Sequence, residues 1–513
     1  MLRTKFLPVA IAAGVAIAAC SSGESALESG VDDPVETTAS TDPASGDTDP
    51  DGDDSDDGDA AVDTTAQPTT TVAPLAELPA CPTDALDDAD GPVDIVFWHS
   101  MSNELEPPLI ELTEQYNASQ DRVRVELQNQ TGNDSTIDRY IAVGSDSRPA
   151  LVQLPEFVLR SFSDSGTTVP AAACIESSGY DTSAFVPRTL TAYQYEGIQR
   201  GMPFNVSNPV LFFNRRIFEA AGLDPADPPV SLEELRTAAE AIVSTGAAPV
   251  GLVLDSGPDS GGGWFLEQWF ARAGEPFADN GNGRLGPATE VFFDNELGVE
   301  LTTFLQDMID DGLAITIGDN AGGQDAFFKL ADANERGSMT VSTSAALGSV
   351  LGALDAGLGG DLTRDDIGVG PMPGPGDVPQ VQVGGASLWI VADKSDEEVA
   401  ASWDYITYLL SAESQARWAA STGYVPVRTD AVDLEPLAST YADDPRFEVA
   451  FTQLMTGADD DTANAPVLGP QREVRVETSR AMAAIFGGAD PQTALTEAAE
   501  ASNALIASYN QRN

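Results

Sequence analysis

The sequence predicts an α/β fold with mainly parallel sheets and helices on both faces of each sheet. Three observations support this fold class. Strand-like and helix-like periodicities alternate between residues 93 and 127, helix-capping motifs recur further along, and residues 81–513 form one long stretch of globular composition. Such a stretch is long enough to form two lobes, each with a substantial hydrophobic core.

The first predicted unit consists of a strand, a helix and a second strand. Val93 to Trp98 is mainly apolar, as in a buried strand, and Val123 to Leu127 alternates apolar and polar residues. Between these strands the apolar residues recur at helical spacing on one face, at Leu105, Leu109, Leu112 and Tyr116. The three segments together predict a βαβ unit.

Later segments continue this alternation. Ala150 to Leu154 and Leu211 to Phe213 predict further short strands. Ser231-x-x-Glu234 and Ser395-x-x-Glu398 are capping boxes, in which the serine oxygen accepts a hydrogen bond from a free amide of the first helical turn. Near the end of the chain, Asp490-Pro491 suits the N-cap and first turn of a last helix.

The N-terminus predicts export and a lipid anchor. Arg3 and Lys5 precede an apolar run from Phe6 to Ile17, which is too short to span a bilayer, and small residues precede Cys20. We expect residues 1–19 to be a lipoprotein signal peptide and Cys20 to be the lipidated first residue of an extracytoplasmic protein attached to the cell membrane. The alternative is an ordinary cleaved signal peptide that happens to contain a cysteine.

Residues 20–80 predict a disordered acidic tether. All charged residues between Cys20 and Cys81 are acidic, and low hydrophobicity with repelling charge opposes core formation. Asp47-x-Asp49-x-Asp51 copies the opening of a calcium loop, but Gly58 stands where the bidentate glutamate is required. We therefore expect no metal site.

Net charge excludes one class of partner. The formal charge is −57 and the chain has only three lysines, so phosphate backbones would repel it and no nucleic-acid partner is expected. Two cysteines remain when Cys20 is lipidated, namely Cys81 and Cys174. In an oxidising compartment they predict a disulfide, with two free thiols as the alternative.

The chain lacks the residues that most enzyme classes need. His99 is the only histidine, and no nucleophile elbow, phosphate-binding loop or dinucleotide fingerprint is present. His99 lies at the end of a predicted strand, where it either packs or lines a cleft. We predict no catalytic residue and no cofactor, so a secreted hydrolase or a tethered adhesion module is a weaker alternative to a binding protein.

Five strings suggest a cleft, and their order resembles a known family. These strings are Phe97-Trp98-His99-Ser100-Met101, Gln153-Leu154-Pro155-Glu156, Met202 to Leu211, Gly384 to Trp389, and Thr422 to Pro426. From Val93 to the C-terminus the chain resembles the extracellular solute-binding proteins of ABC importers, in the maltose-type branch that includes the glycerol-3-phosphate-binding proteins. The first, third and fourth strings together are specific for this family, whereas any one of them alone is a weak signal.

The resemblance implies a two-lobed periplasmic-binding-protein fold of type II, with a hinge of crossing strands that closes over a small ligand. It places the crossings at Pro203 to Leu211, Met339 to Ser344 and Gly385 to Ile390. The implied lobes are 81–204 with 343–385, and 205–342 with 386–513 including the C-terminal helices. It also implies a monomer that delivers its ligand to ABC permease subunits.

The resemblance also implies ligand-binding residues. Glu156 matches an acceptor for glycerol hydroxyls, Ser207 and Tyr424 match donors to phosphate, Gly385 matches a glycine near the ligand, and Trp264 matches one of two pocket indoles. The second indole is replaced by Gly261, a family tyrosine falls at Asp134, and a pocket serine falls near Thr343 or Ser344. Either Arg472 or Arg475 matches the phosphate-binding arginine; a surface ion pair is the alternative for each.

These replacements predict a roomier pocket than one for glycerol 3-phosphate. A glycerophosphodiester such as glycerophosphocholine fits such a pocket, and Asp134 could then face the choline cation. The ligand is thus expected to be glycerol 3-phosphate or a glycerophosphodiester, with a sugar or oligosaccharide as the alternative. An arginine that points freely into the cleft distinguishes the two.

Overall fold

A computed structural model describes residues 78–320, 323, 325–331, 336–376, 380–458 and 460–513. The predicted lipidation site Cys20 and nearly all of the tether lie outside the described residues. Within the described residues, the strands are β1 Val93–His99, β2 Val123–Asn129, β3 Leu151–Pro155, β4 Thr168–Val169, β5 Gln194–Tyr195, β6 Ile198–Gln199, β7 Met202–Ser207, β8 Pro209–Asn214, β9 Val250–Leu254, β10 Ala314–Thr316, β11 Gly337–Thr343, β12 Ile367–Pro371 and β13 Gly384–Val391.

The helices surround these strands. They are α1 Glu106–Ser119, α2 Asn133–Ala142, α3 Leu159–Asp164, α4 Ala171–Ser178, α5 Pro187–Ala192, α6 Arg215–Ala221, α7 Leu232–Thr245, α8 Trp264–Ala273, α9 Asp279–Asn282, α10 Glu296–Asp310, α11 Asp325–Ala331, α12 Ala346–Asp355, α13 Asp396–Leu409, α14 Ala412–Thr422, α15 Leu437–Asp443, α16 Val449–Thr456, α17 Gln471–Phe486 and α18 Pro491–Asn510. The α/β fold class is confirmed.

The first lobe is built on a sheet of order β2-β1-β3-β13-β4, with β7 also paired to β13. Strand β1 is parallel to β2 and to β3, as the βαβ prediction requires. Strand β13 is antiparallel to β3, β4 and β7. Its register with β7 sets Gly384 opposite Ser207, which brings two segments far apart in sequence to the same edge of the sheet.

The second lobe is built on a sheet of order β10-β9-β11-β8-β12. Strand β9 is parallel to β10 and β11, whereas β8 is antiparallel to β11 and β12. Both sheets are therefore mixed, and the expectation of mainly parallel sheets is wrong. Four strands carry the chain between the lobes, namely β7, β8, β12 and β13. These four strands pair antiparallel with their neighbours, whereas the other main strands of each sheet are parallel to one another.

The chain crosses between the lobes at Asn208, between β7 and β8, and again between β12 and β13. This arrangement corrects two predicted boundaries. The sequence predicts that 343–385 lies in the first lobe, yet β12 belongs to the second sheet. It predicts that 386–513 lies in the second lobe, yet β13, Gly384–Val391, belongs to the first sheet. The reason is that long-range pairing, which no local pattern reveals, decides the lobe of each strand.

Each sheet is covered on both faces, as expected for strands that are buried on both sides. On one face of the first sheet Phe97 and Leu151 join an extensive core, and on the other face Trp98 and Val152 pack in a second cluster. Helices α8, α10, α17 and α18 form a further core in the second lobe, which assigns the C-terminal helices to that lobe.

Local signals are found where the sequence predicts them. Ser231 and Ser395 form both hydrogen bonds of their capping boxes, at the starts of α7 and α13. Asp490 accepts from the amide of Thr493 and thereby caps α18. The structure also joins Cys81 to Cys174 in a disulfide that ties the start of the first lobe to α4.

Candidate ligand-binding site

A polar cavity of about 350 Å3 lies between the lobes. On the first lobe its wall begins where β1 and β3 end, at Ser100 and Glu156, because parallel strands present their carboxyl ends at one edge of a sheet. The end of β7 at Ser207 completes that side. On the second lobe, the end of β11 at Thr343 faces the same space.

Seven of the predicted residues line this cavity together. They come from seven separate parts of the chain and from both lobes: Glu156, Ser207, Trp264, Thr343, Gly385, Tyr424 and Arg475. The cavity has the size range of small-molecule sites, with hydrogen-bonding groups on an otherwise partly apolar wall.

Two predicted residues lie behind the wall. His99 is buried, contacts the ring of Phe97 and has no hydrogen-bond partner for Nδ1 among the described residues. Burial lowers its pKa, so it is a neutral packing residue. Ser344 is also buried, and its amide donates to the carbonyl of Asn208 at the lobe crossing. Thr343, rather than Ser344, therefore faces the cavity.

The structure separates the two candidate arginines. Both lie in the first turns of α17, but Arg472 points outward and pairs with Asp134 at 2.9 Å and with Asp138 at 2.8 Å on α2. Asp134 is consequently engaged in a surface ion pair and does not line the cavity, which contradicts its predicted role. Arg475 points into the cavity and is buried.

Arg475 is held by carboxylates of both lobes. Its Nε and Nη2 donate to the two oxygens of Glu267, each at 2.8 Å, and Nη2 also donates to Glu156 at 3.1 Å. Its Nη1 makes no hydrogen bond to a described residue, although Asp259 lies 3.7 Å away in a looser ion pair. The fork is thus fixed on one side, and the Nη1 hydrogens remain for a ligand.

The carboxylates differ in their surroundings. Glu267 is fully buried on α8 and also accepts from Gln471 at 2.6 Å, so it compensates the charge of Arg475 away from the cavity. Burial raises the pKa of Glu156 to about 7, although the Arg475 guanidinium opposes that shift. Glu156 therefore exchanges its proton near neutral pH.

A glycine-rich turn sets the position of Trp264. A Cβ atom on Gly263 would lie 2.1 Å from the carbonyl oxygen of Pro258 and 3.0 Å from Cβ of Arg475, so this turn packs tightly beneath the arginine. A Cβ on Gly261 would lie 2.0 Å from the carbonyl oxygen of Asp255, so the backbone of this chain leaves no room for an indole at that position. The indole of Trp264 lies over Gly384, where a Cβ would come within 2.2 Å.

Gly385 and Tyr424 complete the wall at the lobe crossing. Gly385 has φ of +92°, and a Cβ would lie 2.1 Å from the carbonyl oxygen of Asn205, so the pairing of β13 with β7 itself requires glycine. Tyr424 stacks on Trp418 with ring centroids 5.5 Å apart. Burial raises its pKa to about 12, and it keeps its proton as a donor.

Sequence reasoning missed a hydrogen-bonded row along the first lobe. The Ser100 hydroxyl donates to Asn133 at 2.7 Å, its amide donates to Gln153 at 2.9 Å, and Gln153 donates to Asn205 at 2.6 Å. The sequence did contain a signal for this row, because the first three strings include Ser100, Gln153 and Asn205. Asp259 had no such signal, because it occurs in a loop between glycines of a very acidic chain.

Two helices begin at the cavity. Gly132 and Asn133 line it at the start of α2, and Ala345 and Ala346 line it at the start of α12. Neither helix has a side-chain cap. Free amides and the positive end of a helix dipole attract negative charge, so these termini offset part of the carboxylate field.

Two α/β lobes, two strand crossings and a polar cavity between the lobes define a ligand-binding protein that encloses a small molecule. Among the residues that the structure describes, no helix is long and apolar enough to span a membrane, and no group of side chains is suited to hold a metal ion. The family of bacterial extracellular solute-binding proteins matches residues 111–449. The chain belongs to this family.

Individual relatives agree with this assignment. The sn-glycerol-3-phosphate-binding periplasmic protein UgpB of Pectobacterium atrosepticum is 28% identical over 436 residues, covering 82% of this chain and 93% of that protein. UgpB of Escherichia coli O1:K1 is 27% identical over 437 residues, covering 83% and 95%. The chain is thus a substrate-binding protein of an ABC importer and not an enzyme.

Solved structures share the fold. UgpB of Mycobacterium tuberculosis in complex with glycerophosphocholine has a TM-score of 0.65 and 20% identity, covering 82% of this chain and 99% of that one. The GacH receptor of Streptomyces glaucescens, solved with acarbose, has a TM-score of 0.66, 20% identity and the same coverage. The confirmed two-lobed fold therefore accommodates both phosphodiesters and sugars.

Proposed function

We propose that this protein captures a glycerophosphodiester with a cationic head group, such as glycerophosphocholine, and delivers it to the permease of an ABC importer. The observation that carries the proposal is that groups for both charges line one cavity. Arg475 and two helix starts suit a phosphate, and Glu156 and Asp259 suit a cation.

The phosphate would interact with Nη1 of Arg475, the only part of that guanidinium without a hydrogen bond to a described residue. The hydroxyls of Ser207, Thr343 and Tyr424 are further donors that line the same cavity. Hydrogen bonds to a charged group contribute about 1.5–3 kcal/mol each, so a few of them suffice for tight binding.

The charge balance favours a zwitterion over a dianion. Glu267 already compensates the charge of Arg475, so Glu156 and Asp259 are an excess of negative charge when both are ionised. Glycerol 3-phosphate would add its own negative charge to this cavity. A quaternary ammonium group would instead pair with the carboxylates, and Trp264 offers an indole for a cation–π contact.

A neutral sugar is a second candidate, and one observation favours it. Arg475 is not free but is held in a bidentate pair by Glu267, while Asn133, Asn205 and Glu156 present a polyhydroxyl-binding surface. The acarbose complex of GacH shows that the fold accepts such ligands.

Titration calorimetry of the folded protein with glycerophosphocholine, glycerol 3-phosphate and maltose tests the proposal. We expect glycerophosphocholine to bind most tightly. Asp259→Asn should weaken glycerophosphocholine binding but not glycerol 3-phosphate binding, because only the former carries a cation; Asp311→Asn, at an exposed site on the second lobe, is the control. Binding of maltose without binding of either phosphoester would replace the proposal by the sugar alternative.

We also propose that Cys20 anchors the protein to the membrane through lipid, because the short apolar run and small residues before Cys20 form a lipoprotein signal. Mass spectrometry of the membrane fraction measures the modification. An unmodified Cys20, or cleavage at another residue, would contradict this proposal.

A further inference from the structure

An apolar groove of about 150 Å3 lies beside the polar cavity, between α11 and α12. Its walls are aromatic and aliphatic: Phe327 and Phe328 from α11, and Val350 and Leu354 from α12, with Leu362 at its floor. Apolar cavities of about this volume hold ligands of roughly benzene size. The groove can therefore hold a short hydrocarbon group.

One stripe of α12 forms the side of the groove. Its residues follow helical spacing at Ala346, Ser349, Val350, Ala353 and Leu354. The adjacent side of the helix carries Leu347 and Leu351, which are buried in the core. Because each residue rises 1.5 Å, the stripe extends for about 12 Å along the helix, and its small residues leave the space open.

The groove adjoins the polar cavity, because Ala346, Ser349 and Gly323 line both spaces. A molecule bound in the cavity therefore lies within reach of the groove along the first turns of α12. Two of the groove's lining residues are largely exposed, Leu358 at 71% and Phe328 at 58%. A polar compartment joined to an apolar one has the form of a site for an amphiphile.

We propose that this groove holds the apolar tail of an amphiphilic ligand whose polar head occupies the cavity. The proposal rests on the proposed function for the nature of the head, which would make the ligand a short-chain acyl glycerophosphodiester. It adds a second subsite that recognises hydrocarbon, and it assigns α12 to both subsites.

A chain-length series measures the contribution of the groove. Glycerophosphocholine and its butanoyl and hexanoyl monoesters, kept below the concentration at which they form micelles, are titrated into the full chain. We expect each buried methylene to tighten binding about three- to fourfold, with the gain ending once the tail fills the groove. A parallel series of glucose, butyl glucoside and hexyl glucoside uses a neutral head.

Two variants locate the tail. Ala353→Phe fills the groove and should remove the gain with chain length while leaving glycerophosphocholine affinity unchanged. Phe328→Ser removes part of the wall and should reduce the gain, whereas Leu285→Ser, at another exposed site, should not. Thermal unfolding of each variant shows whether it is folded, and at least one of the two groove variants needs to be folded for the comparison.

The outcomes separate this inference from the proposed function. Binding of glycerophosphocholine with no gain from tails overturns the inference alone. A gain in the glucoside series alone supports the groove and overturns the phosphodiester head. A gain that persists in folded Ala353→Phe places the tail elsewhere and overturns the inference.

Discussion

At the scale of single residues, the chemistry of the site depends on which groups compensate one another. Arg475 alone would favour any phosphate, but its bidentate contact with the buried Glu267 removes most of that preference. Only the Nη1 hydrogens are still directed at a ligand. Ligand choice is therefore decided by the neighbouring carboxylates and hydroxyls as much as by the arginine.

Tyr424→Phe tests the phosphate contact. The substitution removes one phenol donor from the cavity wall and leaves the ring stacked on Trp418. Since a hydrogen bond to a charged acceptor contributes about 1.5–3 kcal/mol, we expect a ten- to hundredfold increase in Kd for glycerophosphocholine by titration calorimetry. Tyr441→Phe, in α15 and outside the cavity, is the matched control. A change below threefold would contradict a phosphate contact.

Glu156 should make stability depend on pH. Burial raises its pKa in the folded state to about 7 from an ordinary value of 4.5. The protonated group is favoured on folding, so its stabilising contribution is fully present below about pH 4.5 and is lost as pH rises through 7. We expect the Tm of Glu156→Gln minus the Tm of the wild type to increase from pH 5 to pH 8.

The control for this pH prediction is Glu413→Gln, an exposed substitution on α14. Its Tm difference from wild type should stay constant across the same range. If Glu156→Gln also showed a constant difference, the carboxyl group would not titrate in that interval.

At the scale of elements, the edge of β13 determines where the cavity can form. Gly384 admits the indole of Trp264, and Gly385 admits the carbonyl group of Asn205, so two adjacent glycines let a helix and a strand approach the same point. Residues with side chains would separate these elements. The cavity wall depends on the absence of side chains as well as on the polar groups present.

Gly385→Ala should destabilise the fold more than an ordinary glycine substitution. At Gly222, where φ is +80° and the surrounding space is open, alanine incurs only the left-handed backbone cost of about 1–2 kcal/mol. At Gly385 alanine also meets the carbonyl oxygen of Asn205, so we expect at least twice the loss of unfolding free energy seen for Gly222→Ala. Urea denaturation of both variants measures the difference, and equal losses would contradict the close approach.

At the scale of the whole molecule, α17 links the two lobes by two kinds of ion pair. Arg475 reaches Glu156 inside the cavity, and Arg472 reaches Asp134 and Asp138 on the surface. The inner contact adjoins the ligand, whereas the outer one does not. The inner and outer contacts can therefore be removed separately by substitution.

Arg472→Gln should weaken closure slightly. The pair is substantially exposed, and exposed ion pairs contribute about 0–1 kcal/mol, so we expect at most a fivefold increase in Kd at low salt. The effect should disappear in concentrated salt because screening already removes the attraction. Arg480→Gln is the control, since Arg480 pairs with Glu477 within α17. An equal effect of both variants would contradict a link between lobes.

Much of this architecture follows from local patterns. Strands β1, β2, β3 and β8, the capping boxes at α7 and α13, and the cap of α18 were predicted because periodicity and capping act within a few residues. The candidate residues at the ends of β1, β3 and β7 could also be predicted from the sequence, because they lie in strings at the ends of predicted strands.

The sequence by itself determined the α/β class, the acidic charge, the absence of enzyme motifs and five of the segments that line the cavity. Only the tertiary structure decided the mixed strand order, the lobe of β12 and β13, and the choice of Arg475 over Arg472. It also decided the pairing of Arg475 with Glu267. The physical reason is that turns, caps and periodicity depend on neighbours along the chain, whereas strand partners and buried charge pairs depend on residues up to hundreds of positions away.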